Sequence, residues 1–302
     1  MSKKILITGG TGLLGSQLTR KLIEKGHHVS HLSRNPNQGN VPGFKWDPEN
    51  KSLEEGAFDK VDSLIHLAGA GVADKRWSVK RKAEVFNSRV EGSKLLFEHL
   101  TSIDHQVGTF ISASAIGYYG IDTGDTWVGE EDGPGSGFLA DLCVHWERAA
   151  DQFGGQGIRT VKFRIGVILS PVGGALKKLV VPIKLGVGAL LGSGDQYMSW
   201  IHLEDLCELF IRAIEDPKIA GTYNAVAPQP LTNREFTRLL AKATNRPLLL
   251  PPVPSFVLKL MLGEMASIVL GGNRVSSKKI ETTGFDFQFA NGGVALKDLL
   301  KS

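Results

Sequence analysis

A chain of 302 residues that is 42% hydrophobic is long enough to bury a large core, as one big α/β unit or as two domains sharing a cleft, and its composition is not that of a disordered segment. Its 35 basic and 31 acidic residues leave a formal charge of +4 with no dense Lys/Arg block, so nucleic acid and anionic lipid are not the expected partners and a small molecule is. Cys143 and Cys207 stand far apart, without a disulfide framework or a Cys/His zinc spacing. The apolar part of residues 1–8 is only a strand, and the longest apolar region, 256–270, is interrupted by Lys259 and Glu264; the expectation is a cytoplasmic protein with no leader, no membrane segment and no metal.

In chain order, a first strand over 5–8 runs into Gly9-Gly10-Thr11-Gly12-Leu13-Leu14-Gly15. A helix follows on which Leu14, Leu18 and Leu22 recur until Gly26 stops it. Strand, glycine loop and helix together make a dinucleotide-binding fingerprint. Gly9 permits the tight turn, Gly12 lets the backbone approach a pyrophosphate, Gly15 allows close packing, and the helix N-terminus supplies oriented N–H groups and partial positive charge. A P-loop is excluded, because Ser16 stands where its lysine should follow the last glycine.

The next strand, 29–32, ends in Ser33-Arg34, where an NAD-binding chain carries an acidic side chain for the ribose hydroxyls. No carboxylate there repels a 2′-phosphate, and the planar fork of Arg34 can clamp one with a hydroxyl from Ser33, so NADP is the expected cofactor; the plainer reading of Arg34 is an exposed loop charge. After a weaker strand over 41–46, the strand over 63–67 ends in His66-Leu67-Ala68-Gly69-Ala70, small residues that leave room for ribose and pyrophosphate. His66 reads as a packed strand residue.

Strands over 108–113 and 160–165, with a helix carrying Leu142, Trp146, Ala150 and Phe153 between them, continue the alternation of a doubly wound parallel α/β sheet, a Rossmann domain. From Ser170 glycine and proline become dense. A helix carrying Leu203, Leu206, Cys207, Phe210, Ile211 and Ile214, closed by Asp216-Pro217, and a strand over 223–226 then return to the sheet. Thr232 and Glu235 form a capping box ahead of Phe236, Leu239 and Leu240, with the prolines of 247–254 ending that helix. The organisation is an NADP-binding Rossmann domain over 1–169, completed by about 200–227, and a smaller C-terminal substrate lobe over 170–199 and 228–302.

TGGTGLLG, Ser33-Arg34, HLAGA, SASAIGYYG, WERAA and SWIHLEDL, in this order, resemble extended short-chain dehydrogenases/reductases. Arg76-Trp77, Ser88-Arg89, GFLADLC, GGAL at 173–176, LGE and GGNRV narrow the resemblance to an atypical subgroup, the epimerase family or sugar nucleotide epimerase-like proteins, over nearly the whole chain. The resemblance implies a Rossmann domain with a C-terminal lobe and an NADP lined by Gly9, Thr11, Gly12, Leu13, Leu14, Gly15, Ser33, Arg34, Leu67, Ala68, Gly69 and Ser112. Ser88-Arg89 falls where extended members carry an asparagine beneath the nicotinamide ribose, which suggests Arg89 as a cofactor contact. Glu84 either steadies that arginine, touches the cofactor or is a solvated helix charge, and Val167 falls in the loop that passes the nicotinamide.

The family's tyrosine, and the lysine four residues later that lowers its pKa, are missing: Leu139 and Cys143 stand there, and neither relays a proton. Cys143 reads as a buried residue sooner than a nucleophile. The remaining catalytic candidates are Ser114, at the strand end with Ser112, and Tyr118, followed by Tyr119; each also reads as a turn cap or a packed lid. Trp200 and His202 read equally as a substrate floor or as core, and Asp205 as a residue favouring a helix dipole. The expected function is an NADP-dependent oxidoreductase or epimerase-like enzyme on a small polar substrate, with a homo-oligomer allowed. The alternative is a non-catalytic NADP(H)-binding module that senses redox state.

Overall fold

The computed structural model describes residues 2–36 and 41–301, so the outer limits drawn above at 1 and 302 fall just outside it. Eight strands join in one sheet: β1 (Lys4–Thr8), β2 (His28–Ser33), β3 (Gly43–Asp47), β4 (Ser52–Leu53), β5 (Ser63–His66), β6 (Thr109–Ala115), β7 (Arg159–Ile165) and β8 (Gly221–Ala225). Their order is β8-β7-β6-β5-β1-β2-β3-β4, parallel throughout except for the β3–β4 pair. This is the doubly wound Rossmann sheet. The chain works outward from β1 to β4 and then crosses to β5 on the other side of β1, so the strand order reverses between β1 and β5, where such sheets leave a crevice at their carboxyl ends.

Ten helices accompany it among the described residues: α1 (Leu13–Glu24), α2 (Val79–Thr101), α3 (Phe138–Gly154), α4 (Gly174–Lys184), α5 (Leu203–Glu215), α6 (Asn233–Ala243), α7 (Ser255–Leu262), α8 (Ser267–Leu270), α9 (Lys278–Glu281) and α10 (Gly292–Leu299). Strand alternation sorts the core into two layers. Ile5, Ile7, Ile65, Ile111 and Val161 bury against Leu14, Leu18 and Leu22 of α1 and Leu206, Phe210 and Ile214 of α5. Leu6, Leu32, Leu64 and Phe110 face the other way, onto Leu96 and Leu100 of α2 and Ala150 and Phe153 of α3, with the Phe110 and Phe153 rings stacked at 3.7 Å.

A third core joins Leu176, Val180 and Ile183 of α4 to Trp200, Phe236, Leu240 and Leu296. The capping box forms as read, with Thr232 accepting from the Glu235 N–H and Glu235 from the Thr232 N–H. The helix, however, stops before the prolines, at Thr244 and the left-handed Asn245 (φ 53°). The C-terminal segment also departs from the division at 228–302. Ile280 and Phe285 pack into the Rossmann core beside α5, and the buried carboxylate of Asp205 accepts hydrogen bonds from the backbone N–H groups of Gln288 (2.9 Å) and Phe289 (3.0 Å). Asp205 therefore ties the chain end to the sheet.

Asp205→Ala is expected to leave these two inward-facing donors without a partner and to cost about 2–4 kcal/mol, with Asp205→Asn losing roughly half as much. Urea unfolding of both variants measures this; an unchanged midpoint in Asp205→Ala would refute the anchoring role.

Candidate functional site

The glycine loop spans the crevice end of β1. Gly9 is left-handed (φ +70°), and a Cβ on it would come within 2.9 Å of the Ala68 nitrogen, so the loop and the end of β5 touch backbone to backbone. A Cβ on Gly15 would strike the Gly9 carbonyl, so Gly15 packs the helix against the loop itself. Gly12 is the N-cap of α1 and offers no side-chain cap, and the first turn of α1 carries no acidic residue. Its first N–H groups are thus left to an anion, beside the exposed Thr11 and Gly12. The side chain of Leu14 belongs to the core, and Leu13 lies half-buried against Gly173 and Gly174 at the start of α4.

At the end of β2, Ser33 accepts a hydrogen bond from the Asn35 N–H (3.1 Å) and turns the chain so that Arg34 is exposed; no carboxylate pairs with Arg34 among the described residues. The Thr8 hydroxyl is completely buried. It lies within hydrogen-bonding distance of the N–H groups of Leu67 (3.1 Å) and Ala68 (3.2 Å) and of His66 Nδ1 (2.7 Å). With both its lone pairs taken by N–H groups, Thr8 gives its proton to His66 Nδ1, which keeps the ring neutral. Burial pushes the His66 pKa down to about 4. His66 is a packed strand residue between Trp46 and Phe110.

Two α2 arginines hold the loop that follows. Arg89 donates to the Ala70 carbonyl (2.9 Å), lies under Gly69 and over the Trp146 ring at 5.1 Å, and has its pKa pushed down to about 10 by burial; no carboxylate offsets it among the described residues. Arg81 reaches the Gly71 carbonyl (2.5 Å), and Ser88 accepts from the Ala70 N–H (2.9 Å). Glu84 does not steady Arg89. It is exposed and pairs with Arg81 at 2.7 Å, three residues away on the same helix face.

The catalytic candidates are drawn into a buried network that the sequence reading did not foresee. Ser114 donates to Glu147 Oε1 (2.7 Å), while Arg164 grips both oxygens of that carboxylate (2.8 and 3.0 Å) and donates to the Tyr119 hydroxyl (3.0 Å). Tyr119 donates in turn to Asn224 (2.8 Å), and burial pushes its pKa up to about 12. Tyr118 lays its ring on the Arg164 guanidinium at 3.3 Å. Lys162 and Arg164 on β7, an inner strand of a parallel sheet that should read as apolar, were the available signal. Ser112 is buried and donates to the Ala113 carbonyl (2.9 Å). Leu139 and Cys143 close on Gly117, whose Cβ would sit 3.2 Å from the Leu139 Cβ and 3.8 Å from the Cys143 sulfur; burial pushes the Cys143 thiol up to about 12, so it stays protonated.

Val167 opens not a loop but a short strand, Val167–Leu169, paired with Trp200–His202. Trp200 is core, its indole N–H bonded to the Gln229 carbonyl (3.0 Å). His202 caps α5 and stacks on Phe289 at 3.7 Å. A recess of about 440 Å³ lies between the lobes, lined among others by Ile121, Asp122, Lys259, Glu264 and Ser267, and starting three residues beyond Tyr118. No group of acidic, His or Cys side chains among the described residues is arranged to hold a metal, and no described helix is long and apolar enough to cross a membrane.

Residues 5–226 match the NAD dependent epimerase/dehydratase family, and residues 253–299 match the Domain of unknown function (DUF1731). The chain is 40% identical over 293 residues to the Epimerase family protein Mb2239 of Mycobacterium bovis, covering 97% of this chain and 96% of that one. It is 35% identical over 299 residues to the Epimerase family protein YfhF of Bacillus subtilis, covering 98% and 97%. Among solved structures it is similar to the human epimerase family protein SDR39U1 (isoform 2) with NADPH, with a TM-score of 0.90 and 32% identity, covering 98% of this chain and 99% of that one. It is also similar to a nucleoside-diphosphate sugar epimerase of Corynebacterium glutamicum, with a TM-score of 0.82 and 32% identity, covering 99% of this chain and 58% of that one.

The neutral, depressed His66 sets a pH signature at the crevice. The unfolded chain binds a proton near pH 6.5 and the folded chain only near 4, so stability is full above 6.5 and falls as the pH drops through that window, by up to about 3 kcal/mol. Urea melts between pH 7 and 4 should show a steeper acid loss for the native chain than for His66→Gln. Parallel slopes would show that His66 is not the group titrating.

Proposed function

The chain belongs to the NAD dependent epimerase/dehydratase family, and on that premise we propose that it is an NADP(H)-dependent oxidoreductase or epimerase-like enzyme acting on a small polar substrate, a carbonyl compound or a nucleotide sugar. The observation that carries the reading is the pairing of an uncapped, acid-free α1 N-terminus with an exposed Arg34 at the end of β2. The first accepts a pyrophosphate and the second a 2′-phosphate. The backbone contact of Gly9 with Ala68 leaves a cradle free of side chains, as a dinucleotide requires. The human relative that carries NADPH supports the phosphorylated cofactor.

When bound, the cofactor supplies the hydride; the chain's own residues must hold it and handle the proton. Thr11, Gly12, Leu13, Leu14 and Gly15 offer backbone to the phosphates, Ser33 and Arg34 the adenine-side phosphate, and Leu67, Ala68, Gly69 and Arg89 a floor with one uncompensated cation. Glu84 acts on that floor through Arg81 and Gly71. Ser114 spends its proton on Glu147 and so presents only acceptor lone pairs, which leaves Tyr118, poised on a guanidinium, as the hydroxyl to donate to a substrate oxygen. A substrate in the recess beside Ile121 and Asp122 would meet the polar groups of Lys259, Glu264 and Ser267.

The apolar filling of positions 139 and 143, with Ser114 held by Glu147, favours a second reading, an NADP(H)-binding module that signals redox state. Such a module needs different affinities for the two cofactor states.

Arg34→Ala is expected to weaken NADPH binding by about tenfold to a hundredfold and to leave NADH binding unchanged, as calorimetry would show; equal losses for both would refute the 2′-phosphate role. Turnover of NADPH across a panel of carbonyls and nucleotide sugars, lost in Tyr118→Phe, supports the enzyme. No turnover, with NADP and NADPH affinities differing at least about tenfold, supports the sensor.

A further inference from the structure

The charges around the end of β5 do not balance. Arg81 is matched by Glu84 (2.7 Å) and Asp74 (3.8 Å), and Arg164 by both oxygens of Glu147, so neither leaves a surplus. Arg89 has no such partner among the described residues. Its guanidinium lies against backbone and an aromatic face instead: a Cβ on Gly69 would come within 2.9 Å of its central carbon, and the Trp146 ring of α3 lies 5.1 Å away. Nη1 donates to the carbonyls of Ala70 (2.9 Å) and Val85 (3.1 Å), while Nε and Nη2 donate to nothing among the described residues. The two titratable neighbours that feel this charge offer no anion at neutral pH. Burial pushes the Cys143 thiol up to about 12, and burial, joined by the Arg89 charge, takes His66 down to about 4. One unit of positive charge is therefore fixed beneath residues 69–70.

Its place along the sheet decides what that charge acts on. With the cofactor bound as proposed above, on which the inference rests, the 2′-phosphate belongs at Arg34 beyond β2 and the diphosphate at the head of α1 beyond β1. The order β2-β1-β5-β6 leaves the nicotinamide half to the ends of β5 and β6, the side on which Arg89 stands. NADP and NADPH share every phosphate and differ by one positive charge on the nicotinamide ring. The phosphates attract Arg89 equally in both states, so the ring alone tells them apart. Two unit cations about 10 Å apart, at an effective dielectric of about 20, shift an equilibrium by roughly tenfold.

We propose that Arg89 sets the redox preference of the crevice: its unpaired guanidinium, on the nicotinamide side, favours the neutral ring of NADPH over the cationic ring of NADP. That order of affinities suits net reduction of a carbonyl compound, in which a hydride from the cofactor and a proton from Tyr118 add across the C=O to give an alcohol, and the spent, cationic form leaves more readily than the fresh one. It equally gives a sensor the differential affinity that it needs, so turnover still separates those two readings.

Calorimetric titration of the full chain at pH 7 tests this. NADPH should bind the native chain about tenfold more tightly than NADP, Arg89→Met should bring the two affinities level, and Arg89→Lys, which keeps the charge, should keep NADPH ahead. The ratio is the quantity that a purely structural role leaves alone: if Arg89 only held the Ala70 and Val85 carbonyls, Arg89→Met would weaken both forms alike. Should Arg89→Met fold poorly, the native chain in high salt gives an independent readout. A preference set by a buried cation should survive there, whereas one set by exposed charges should vanish. Equal affinities in the native chain, a preference for NADP, a preference that Arg89→Met retains or Arg89→Lys loses, or one that disappears in high salt overturns the proposal. Binding of neither form removes the cofactor reading itself, and the proposal with it.

Discussion

The crevice depends on one hydroxyl. Thr8 ends β1, and its oxygen bridges β1 to the residues that leave β5, through Leu67 and Ala68, while its proton goes to His66. That oxygen uses its whole hydrogen-bonding capacity in a site closed to water, where a missing partner costs more than a made bond contributes. Two strand ends are thereby fixed at the point where the sheet reverses order, and the distance between them decides whether Gly9 can touch Ala68. The glycine loop is a consequence of this approach: a side chain at Gly9 or Gly15 would push the loop off β5 or the helix off the loop.

A second buried network governs what the crevice can do once a dinucleotide lies in it. A carboxylate as buried as Glu147 needs a cation and further donors, and Arg164 and Ser114 supply them. Ser114 is therefore oriented by a protein charge, with its hydrogen already committed. The same guanidinium carries Tyr118 on its face and Tyr119 at its edge. Leu139 and Cys143 of α3 are apolar, and the polar groups gather instead at the ends of β6 and β7.

The sheet was legible because its signals are local. The central strands β1, β5 and β6 are short apolar runs closed by small residues, and α1, α3 and α5 repeat leucines and aromatics at helical spacing, while the two-residue edge strand β4 was not read. Helix α2, the longest, was not read from periodicity, since its buried positions Val85, Val90, Leu95, Leu96 and Leu100 do not follow a three-four repeat and Arg81, Gly92 and Ser93 are buried among them. The cofactor loop was legible for the same local reason. The buried polar network was not: Ser114, Glu147, Arg164 and Asn224 come from four elements, and only the sheet order places them together. Trp200 and His202 suit a ligand floor or a core equally as residue types, and the deciding fact is tertiary, their burial against Phe236 and Phe289.

The C-terminal lobe braces the turn that follows β6. The side-chain amide of Asn273 donates to the carbonyls of Ile116 (3.1 Å) and Gly120 (2.9 Å), at the two ends of the turn that carries Tyr118 and Tyr119. Gly271 and Gly272 permit this, because a Cβ on either would run into the backbone of Ile121 or Tyr197. Ser199 completes the seam by donating to the Asn273 carbonyl (2.7 Å) and accepting from the Val275 N–H (3.0 Å). The GGNRV segment therefore works as a clamp on the turn that carries Tyr118 and Tyr119. Two bonds from one buried amide thus tie the lobe directly to that turn.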